Sequence, residues 1–252
     1  MRKIERQRKV GLARALSKLG YCSRSTAGEL IRAGRVTLND KLRHDPETPT
    51  DLTKDRIAVD KCLIQPARKT YLVFNKPRGL ITTASDEKGR DTVYKSLQQY
   101  RFPFMGAVGR LDRAAEGLLL FTNDSEWAAK ILAPETHLDK TYHVQIDAVA
   151  DDHLLTTLTI GIESEPGRLR AKSVRVVRGG NRRTWLEIVL DEGKNRHIRR
   201  MFEHLGIEVL RLVRVAIGPL ALGELPKGGV RPLTRAEKDA LDRAMRHPCV
   251  RG

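Results

Sequence analysis

Apolar residues in the first quarter of the chain recur at the spacing of two short helices. Each series stops at a glycine, which terminates helices because it readily adopts the left-handed conformation. The second series also follows a serine that can cap a helix N-terminus. The positions concerned are Leu12, Leu16, Leu19 and Gly20 in the first helix, and Ser23, Ala27, Leu30, Ile31 and Gly34 in the second. Short strands are predicted over 35–38 and 56–59, the first of them ending at the turn signal Asn39-Asp40.

From residue 70 onward the pattern changes to apolar and alternating runs of strand length. These runs lie at 70–74, 117–121, 142–146, 184–190 and 209–217. Helical signals fall between and after them: caps at Asp124 and Asp151, an apolar face over 198–205, and a capping box at Thr234 and Glu237 that opens a last helix to about Met245. Hairpin-like strand pairs with helices between them predict an α+β fold built on a mainly antiparallel sheet.

The change of pattern predicts two domains. We expect a small helix-and-strand domain over 10–66 and a larger α+β domain over 69–247. The stretch 60–69 is polar, contains Pro66 and lacks periodicity, so it is predicted to be a linker. A chain of 252 residues is long enough for both domains.

The charge balance favours a polyanionic partner. Lys and Arg total 47 against 31 Asp and Glu, which gives a formal net charge of +16 and an isoelectric point of about 10.1. A positive field of this size indicates nucleic acid. No membrane association is expected, because no apolar run reaches the roughly 20 residues of a membrane span and no basic amphipathic helix with bulky aromatic residues stands out.

Cysteine and histidine patterns predict no metal site. Cys22, Cys62 and Cys249 are far apart and form no Cys-x-x-Cys pair, and the 7 histidines show no metal-ligand spacing. So sparse a set of cysteines favours a reducing compartment. The basic N-terminal segment lacks the apolar core of a secretory signal. We therefore expect a cytoplasmic protein, and we expect it to be monomeric.

Candidate chemistry centres on the segment Gly109-Arg110-Leu111-Asp112, just ahead of the apolar run at 117–121. A carboxylate held against a core strand is costly unless it is paired or used in chemistry. On these four residues alone, a surface ion pair between Arg110 and Asp112 is an equally good interpretation.

This segment and three others, in the same order, resemble the motifs of the pseudouridine synthase family. The others are Lys76-Pro77-Arg78-Gly79, Lys140-Thr141-Tyr142 and the basic stretch 193–202, in which the family's basic residue falls at Arg199. Together they span nearly the whole second domain. The chain is most similar to the RsuA-like members, which join an S4 RNA-binding domain to the catalytic domain and act on uridines in ribosomal RNA.

The first domain resembles the S4 RNA-binding domain through residues 23–24, 30–39 and 55–59. The resemblance places a basic face on the second helix and the hairpin that follows it. It implies that Arg24, Arg32 and Arg35 contact RNA phosphates. Such contacts position an RNA without reading its sequence.

The same resemblance implies roles for the residues of the second domain. Asp112 would be the nucleophile acting on a uridine extruded from the RNA, with Tyr142 and Arg199 in support. Tyr142 offers a ring for stacking and a hydroxyl for proton transfer, and Arg199 is expected to pair with Asp112 and keep it ionised. The isomerisation changes no atoms, so no cofactor is implied. The expected RNA or substrate contacts are Lys76, Arg110, Lys140, Arg196 and Arg200, with a purely structural role as the alternative for Lys76 and Lys140.

Alternatives stay open at this point. A catalytically inactive relative could use the same basic surface to hold or chaperone ribosomal RNA, although it would have no reason to retain Asp112, Tyr142 and Arg199 together. A nucleosidase or an RNA-cleaving enzyme would need a second carboxylate or a histidine pair beside Asp112, and none is obvious. Individually, Tyr142 also fits an ordinary strand core, and Arg199 fits a solvated helix face.

Overall fold

The computed structural model describes residues 9–84, 86, 88–100, 102–165 and 167–246. Cys249 and His247, the predicted end of the second domain, lie outside them. The chain divides into two compact units. The first consists of the described residues within 1–71, 100–106 and 121–125, and the second of those within 72–99, 107–120 and 126–252. Two short segments from the middle of the chain, 100–106 and 121–125, therefore group with the first unit. Both fall inside the range 69–247 that the sequence analysis gave to the second domain.

The first unit begins with two helices followed by short strands, as the sequence predicted. Its elements are β1 (Val10–Gly11), α1 (Leu12–Lys18), α2 (Arg24–Arg32), β2 (Val36–Leu38), β3 (Lys41–Arg43), β4 (Pro49–Thr50), β5 (Ile57–Val59) and β6 (Cys62–Leu63). The Oγ of Ser23 caps α2 by accepting from the backbone N–H of Thr26 at 3.1 Å. The apolar faces of both helices pack with Val36, Leu38, Ile57 and Val59 in one buried core.

The linker prediction over 60–69 is wrong in its first part. Asp60 and Lys61 turn the chain with positive φ values of 48° and 66°. β6 then pairs antiparallel with β5, completing a four-stranded sheet in the order β3-β2-β5-β6. The exposed two-residue strand lacks the apolar alternation that would have marked it in the sequence.

The elements from residue 71 onward build one nine-stranded sheet with helices between the strands. They are β7 (Tyr71–Lys76), β8 (Gly106–Val108), β9 (Glu116–Thr122), α3 (Ser125–Leu132), β10 (Lys140–Ile146), α4 (Asp152–Ile160), β11 (Ser173–Gly179), β12 (Thr184–Leu190), α5 (His197–His204), β13 (Val209–Ile217), β14 (Leu220–Ala221), β15 (Val230–Pro232) and α6 (Arg235–Arg246), with 3₁₀ turns at Lys95–Leu97 and Pro134–Thr136. The predicted caps are present at Asp151, which accepts from Leu154 N, and in the reciprocal bonds of Thr234 and Glu237.

Sheet order explains how distant motifs meet. The main path runs β11-β12-β10-β13-β9-β7-β15, with β14 on β13 and β8 on β9. β10 pairs antiparallel with both β12 and β13, whereas β13 pairs parallel with β9. The α+β class with a mainly antiparallel sheet is confirmed. β10 is thus separated by a single strand, β13, from β9, which directly follows the Asp112 segment.

Gly117 permits the close approach of β9 to β13. Its φ is +100°, and a Cβ at this position would lie 2.2 Å from the carbonyl oxygen of Arg214. All seven residues of β9 are buried, so a shift of the strand to relieve the clash would disturb the core around it.

We expect Gly117→Ala to lower the free energy of unfolding by ~3 kcal/mol or more, because both the positive φ and the backbone clash oppose the new methyl group. Denaturant unfolding monitored by circular dichroism measures this. Gly179→Ala is the matched control, since Gly179 has no positive φ and a Cβ added there would meet nothing within 4 Å. Equal stability of the two variants would contradict the account of the β9–β13 contact.

Candidate active site

A cavity of about 370 Å³ opens where the Asp112 segment meets β10, β13 and the stretch before α5. Its wall is formed by residues 109–112, by Lys140 and Tyr142 of β10, by Leu212 and Arg214 of β13, and by residues 192–198. Three of the four motif segments found in the sequence therefore line one space, which is large enough for a nucleoside-sized ligand.

The loop that carries Asp112 is held by its backbone. Thr82 Oγ1 donates to the carbonyl of Leu111 at 2.8 Å, and the N–H of Ala115 donates to the carbonyl of Asp112 at 3.0 Å. The Asp112 carboxylate takes no part in these bonds. It is half-buried and lines the cavity, and among the described residues no side-chain hydrogen bond or ion pair engages it. A fixed loop thus presents the carboxylate to whatever the cavity binds.

Lys76 also supports this loop from inside the protein. Its side chain is fully buried, and Nζ donates to the carbonyls of Pro77, Asp112 and Ala115 at 3.2, 3.1 and 2.8 Å. An ammonium group with all three protons engaged inside the protein has none left for RNA. The structure thus contradicts the expected RNA contact of Lys76 and gives this residue the role of positioning the Asp112 loop.

Burial lowers the pKa of Lys76 to about 8, and the negative charges of Asp112 and Glu116 act in the opposite direction. Above that pH the neutral amine has only two N–H groups for three carbonyls. The folded state has the lower pKa, so between about pH 8 and the ordinary value of 10.5 the unfolded state holds more protons. This group therefore makes the fold more stable, not less, as pH rises through that window.

We expect turnover to fall as pH rises through about 8 while the fold stays intact. Lys76→Met should remove this alkaline limb and lower the rate at pH 7 by roughly 10–100-fold, about 1.4–2.7 kcal/mol, because the loop loses its support. Single-turnover rates across pH, with melting temperatures alongside, measure both effects. An alkaline limb unchanged in the variant would show that another group titrates.

Tyr142 reaches the cavity from β10. It lies opposite Ile188 of β12 and Arg214 of β13, while Val144 and Ile146 further along the strand are buried. Its side chain is only partly buried and shares the cavity with Asp112. The interpretation of Tyr142 as ordinary strand core is therefore wrong.

Arg199 does not pair with Asp112 as expected. Its two terminal nitrogens donate to the carbonyls of Val209 and Ala114, each at 3.3 Å. Among the residues that the structure describes, no ion pair within 4.0 Å joins it to Asp112. Burial lowers the pKa of Arg199, the charge of Arg196 adds to this, and Asp112 opposes it. Arg199 thus acts on the Asp112 loop in two ways. It donates a hydrogen bond to the Ala114 carbonyl, and its positive charge attracts the Asp112 carboxylate from beyond ion-pair distance.

The other residues of the second domain predicted to contact RNA fall into two groups, those that line the cavity and one that does not. Arg110 is exposed at the cavity, and Arg196 also lines it while pairing with Glu203. Lys140 lines the cavity, and burial followed by the charge of Arg214 lowers its pKa. Arg200 donates to Ser164 Oγ and to the carbonyl of Glu165, and its guanidinium is thereby committed to the 164–165 segment.

Among the cavity residues outside the predicted set of site candidates, Arg214 and His197 are polar side chains that are almost completely buried. Arg214 is 6 % exposed, on a strand that is otherwise apolar on that side. His197 is 3 % exposed with its Nδ1 3.7 Å from Glu192 Oε1, and burial lowers its pKa. A charged residue inside a predicted buried strand is a signal that could have identified Arg214.

Comparison with known proteins identifies the class that the fold and this cavity define. A family model described as RNA pseudouridylate synthase matches residues 70–204, and a model of the S4 domain matches residues 10–57. The chain belongs to the RNA pseudouridylate synthase family. It is an RNA pseudouridine synthase, and the predicted family and enzyme class are confirmed.

Relatives match over most of the chain. An uncharacterized RNA pseudouridine synthase of Aquifex aeolicus is 35 % identical over 94 % of this chain and 95 % of its own length. Ribosomal large subunit pseudouridine synthase B of Bacillus subtilis is 34 % identical over 91 % of this chain and 94 % of its own. A crystal structure of a pseudouridylate synthase covers 92 % of this chain and 99 % of its own, with a TM-score of 0.63 at 27 % identity. Of the helices described here, none combines the length and apolar character needed to cross a membrane.

Proposed function

We propose that this protein converts one or more uridines of large-subunit ribosomal RNA to pseudouridine, with Asp112 as the nucleophile. The observation that carries the proposal is the Asp112 carboxylate, presented by a fixed loop into a cavity that it shares with Tyr142. Ribosomal RNA is proposed because the Bacillus subtilis relative and an equally similar Salmonella typhimurium relative are both named for the large ribosomal subunit.

The reaction determines what the cavity must do. The bond between uracil N1 and ribose C1′ breaks, and a bond between C5 and C1′ replaces it. Asp112 engages the electron-poor sugar, as carboxylates do in glycoside chemistry. Tyr142 stacks on the detached ring and keeps it from leaving, and its hydroxyl is available for proton transfer. Arg199 positions Asp112 through the Ala114 carbonyl.

Access to the target requires that the uridine leave the RNA stack. Arg110 is exposed two residues before Asp112, at the cavity. We propose that the side chain of Arg110 fills the space that the extruded base leaves in the RNA stack. Arg196 and Lys140 would meet the phosphates or sugar of the neighbouring nucleotides.

A comparison of pseudouridine maps tests this function. Large-subunit ribosomal RNA from cells lacking the protein should miss at least one pseudouridine that is present in the parent strain. The purified protein should restore that site in an RNA fragment. Intact maps in both subunits, together with unimpaired RNA binding by the protein, would favour the alternative of a binding protein or chaperone.

Residues 10–66 are proposed to dock the RNA for the catalytic region 69–247. Arg24 and Arg32 stand at the two ends of α2 and flank Gly28, which leaves a shallow groove between them. Within the described part of the chain neither arginine has an ion-pair partner. Arg35, in contrast, is held by both carboxylate oxygens of Asp60.

We expect Arg24→Gln with Arg32→Gln to weaken binding to related and unrelated RNAs alike. The salt dependence should flatten by about one unit of slope or slightly less per lost phosphate contact. Arg35→Gln should have the smaller effect because Asp60 already occupies the guanidinium. Titrations at several salt concentrations measure this, and turnover at saturating RNA should survive. Unchanged affinity and slope in the double variant would place the docking surface elsewhere.

A further inference from the structure

Arg214 is a buried cation without a full set of partners. Its side chain lies in the wall of the cavity, and the residue is 6 % exposed. Nε donates to the carbonyl of Leu118 at 2.7 Å, whereas Nη2 is buried without a partner in the described residues. A guanidinium removed from water is costly unless acceptors replace the water. The free enzyme therefore keeps an unsatisfied donor group at this wall.

The backbone places this group beside Tyr142. Arg214 and Tyr142 are directly opposite each other on the antiparallel pair β13 and β10. Opposite residues project from the same face of a sheet with their Cβ atoms roughly 4.5–5.5 Å apart. A base stacked on the Tyr142 ring thus has its edge within reach of the Arg214 guanidinium.

The depth of Arg214 decides which part of the nucleotide it meets. The phosphates of a continuous RNA strand stay with the backbone at the cavity mouth, where the exposed Arg110 lies. Only the extruded base enters far enough to meet a side chain that is almost completely buried. Uracil offers two carbonyl acceptors, O2 and O4, which suit a donor-only group.

We propose that Arg214 donates to a carbonyl oxygen of the target uracil, and that it stabilises the charge that the ring acquires during the reaction. When the N1–C1′ bond breaks, its electron pair remains on the ring, spread over N1, O2 and O4. The charge disappears once C5 bonds to C1′, C5 loses its proton and N1 gains one. A donor fixed before the reaction stabilises this charge most in the water-poor cavity. The inference rests on the proposed function and adds a substrate contact to it.

Single-turnover rates at saturating RNA, with separately measured dissociation constants, test the proposal. Arg214→Gln should lower the rate by roughly 100-fold or more, as loss of one oxyanion donor does, while RNA affinity changes little. Arg211→Gln is the matched control on the same strand. Arg211 pairs with Glu116, which Lys227 also holds, and it does not line the cavity, so its loss should leave the rate nearly unchanged.

RNA with 2-thiouridine or 4-thiouridine at the target site identifies the acceptor. Sulfur is the weaker acceptor, so one of the two substitutions should slow the wild-type enzyme but add little to the Arg214→Gln defect. If the glutamine variant fails to fold by circular dichroism, Arg214→Lys, which keeps the charge without the planar fork, replaces it in the same comparison.

Three results would overturn the assignment. The first is an Arg214→Gln variant that reacts as fast as wild type. The second is a slowing by 2-thiouridine and by 4-thiouridine that is equally large in wild type and in the variant. The third is a variant whose RNA affinity and its salt dependence fall while its rate at saturating RNA is unchanged. The last result would make Arg214 a phosphate contact. A wild-type enzyme that forms no pseudouridine in any ribosomal RNA would instead remove the proposed function, and this inference with it.

Discussion

Asp112→Asn should reduce pseudouridine formation to background while the protein stays folded and binds RNA normally. The amide is nearly isosteric with the carboxylate but is a far weaker nucleophile. The loop does not depend on this side chain, because its hydrogen bonds run through the backbone of Leu111, Asp112 and Ala115. Melting temperature and RNA affinity therefore remain near wild-type values.

Glu192→Gln provides the matched control, since Glu192 is a second carboxylate in the wall of the same cavity. It should retain most of the activity. Residual turnover of Asp112→Asn within about tenfold of wild type, a barrier change of only about 1.4 kcal/mol, would exclude Asp112 as the nucleophile.

Tyr142→Phe should depress turnover by roughly 10²–10⁴-fold, the range for loss of a group that transfers a proton. The ring remains for stacking, so RNA affinity should change little. Single-turnover rates at saturating RNA separate the two contributions. Tyr94→Phe is the control, because its hydroxyl accepts from Ala107 N at 3.1 Å and does not line the cavity. Full activity of Tyr142→Phe would show that another group transfers the proton, and the buried His197 would be the next candidate.

Much of the fold was predictable because local signals and tertiary structure agree. Helix ends at Gly20 and Gly34 and the capping box at Thr234 are local backbone chemistry, and each lies where the sequence indicated. The strand over 173–179 was missed because almost all of its residues are exposed. It lies at the sheet edge, where six of its seven residues pair with β12, and it carries no buried alternation that a sequence pattern could show.

The sequence predicts which residues belong to the site, but it does not predict how their side chains are arranged. The motifs placed Asp112 and Tyr142 together, and both do line one cavity. They could not show that the Lys76 side chain is buried, with Nζ bonded to backbone carbonyls. Nor could they show that Arg199 donates to the Ala114 carbonyl and not to the Asp112 carboxylate. Such details depend on the parallel pairing of β9 with β13 and on the fully buried setting of Lys76, which are properties of the assembled sheet.

Release of tritium from RNA labelled at uridine C5 tests the central claim most directly. The hydrogen at C5 must leave when that carbon bonds to the ribose, so every isomerisation releases one label to water. In buffer with chelator and without nucleotide, the wild-type protein should release label from a large-subunit ribosomal RNA fragment in step with pseudouridine formed, and Asp112→Asn should release none. Equal release by both proteins, or no release by the wild type from any ribosomal RNA fragment, would contradict the account.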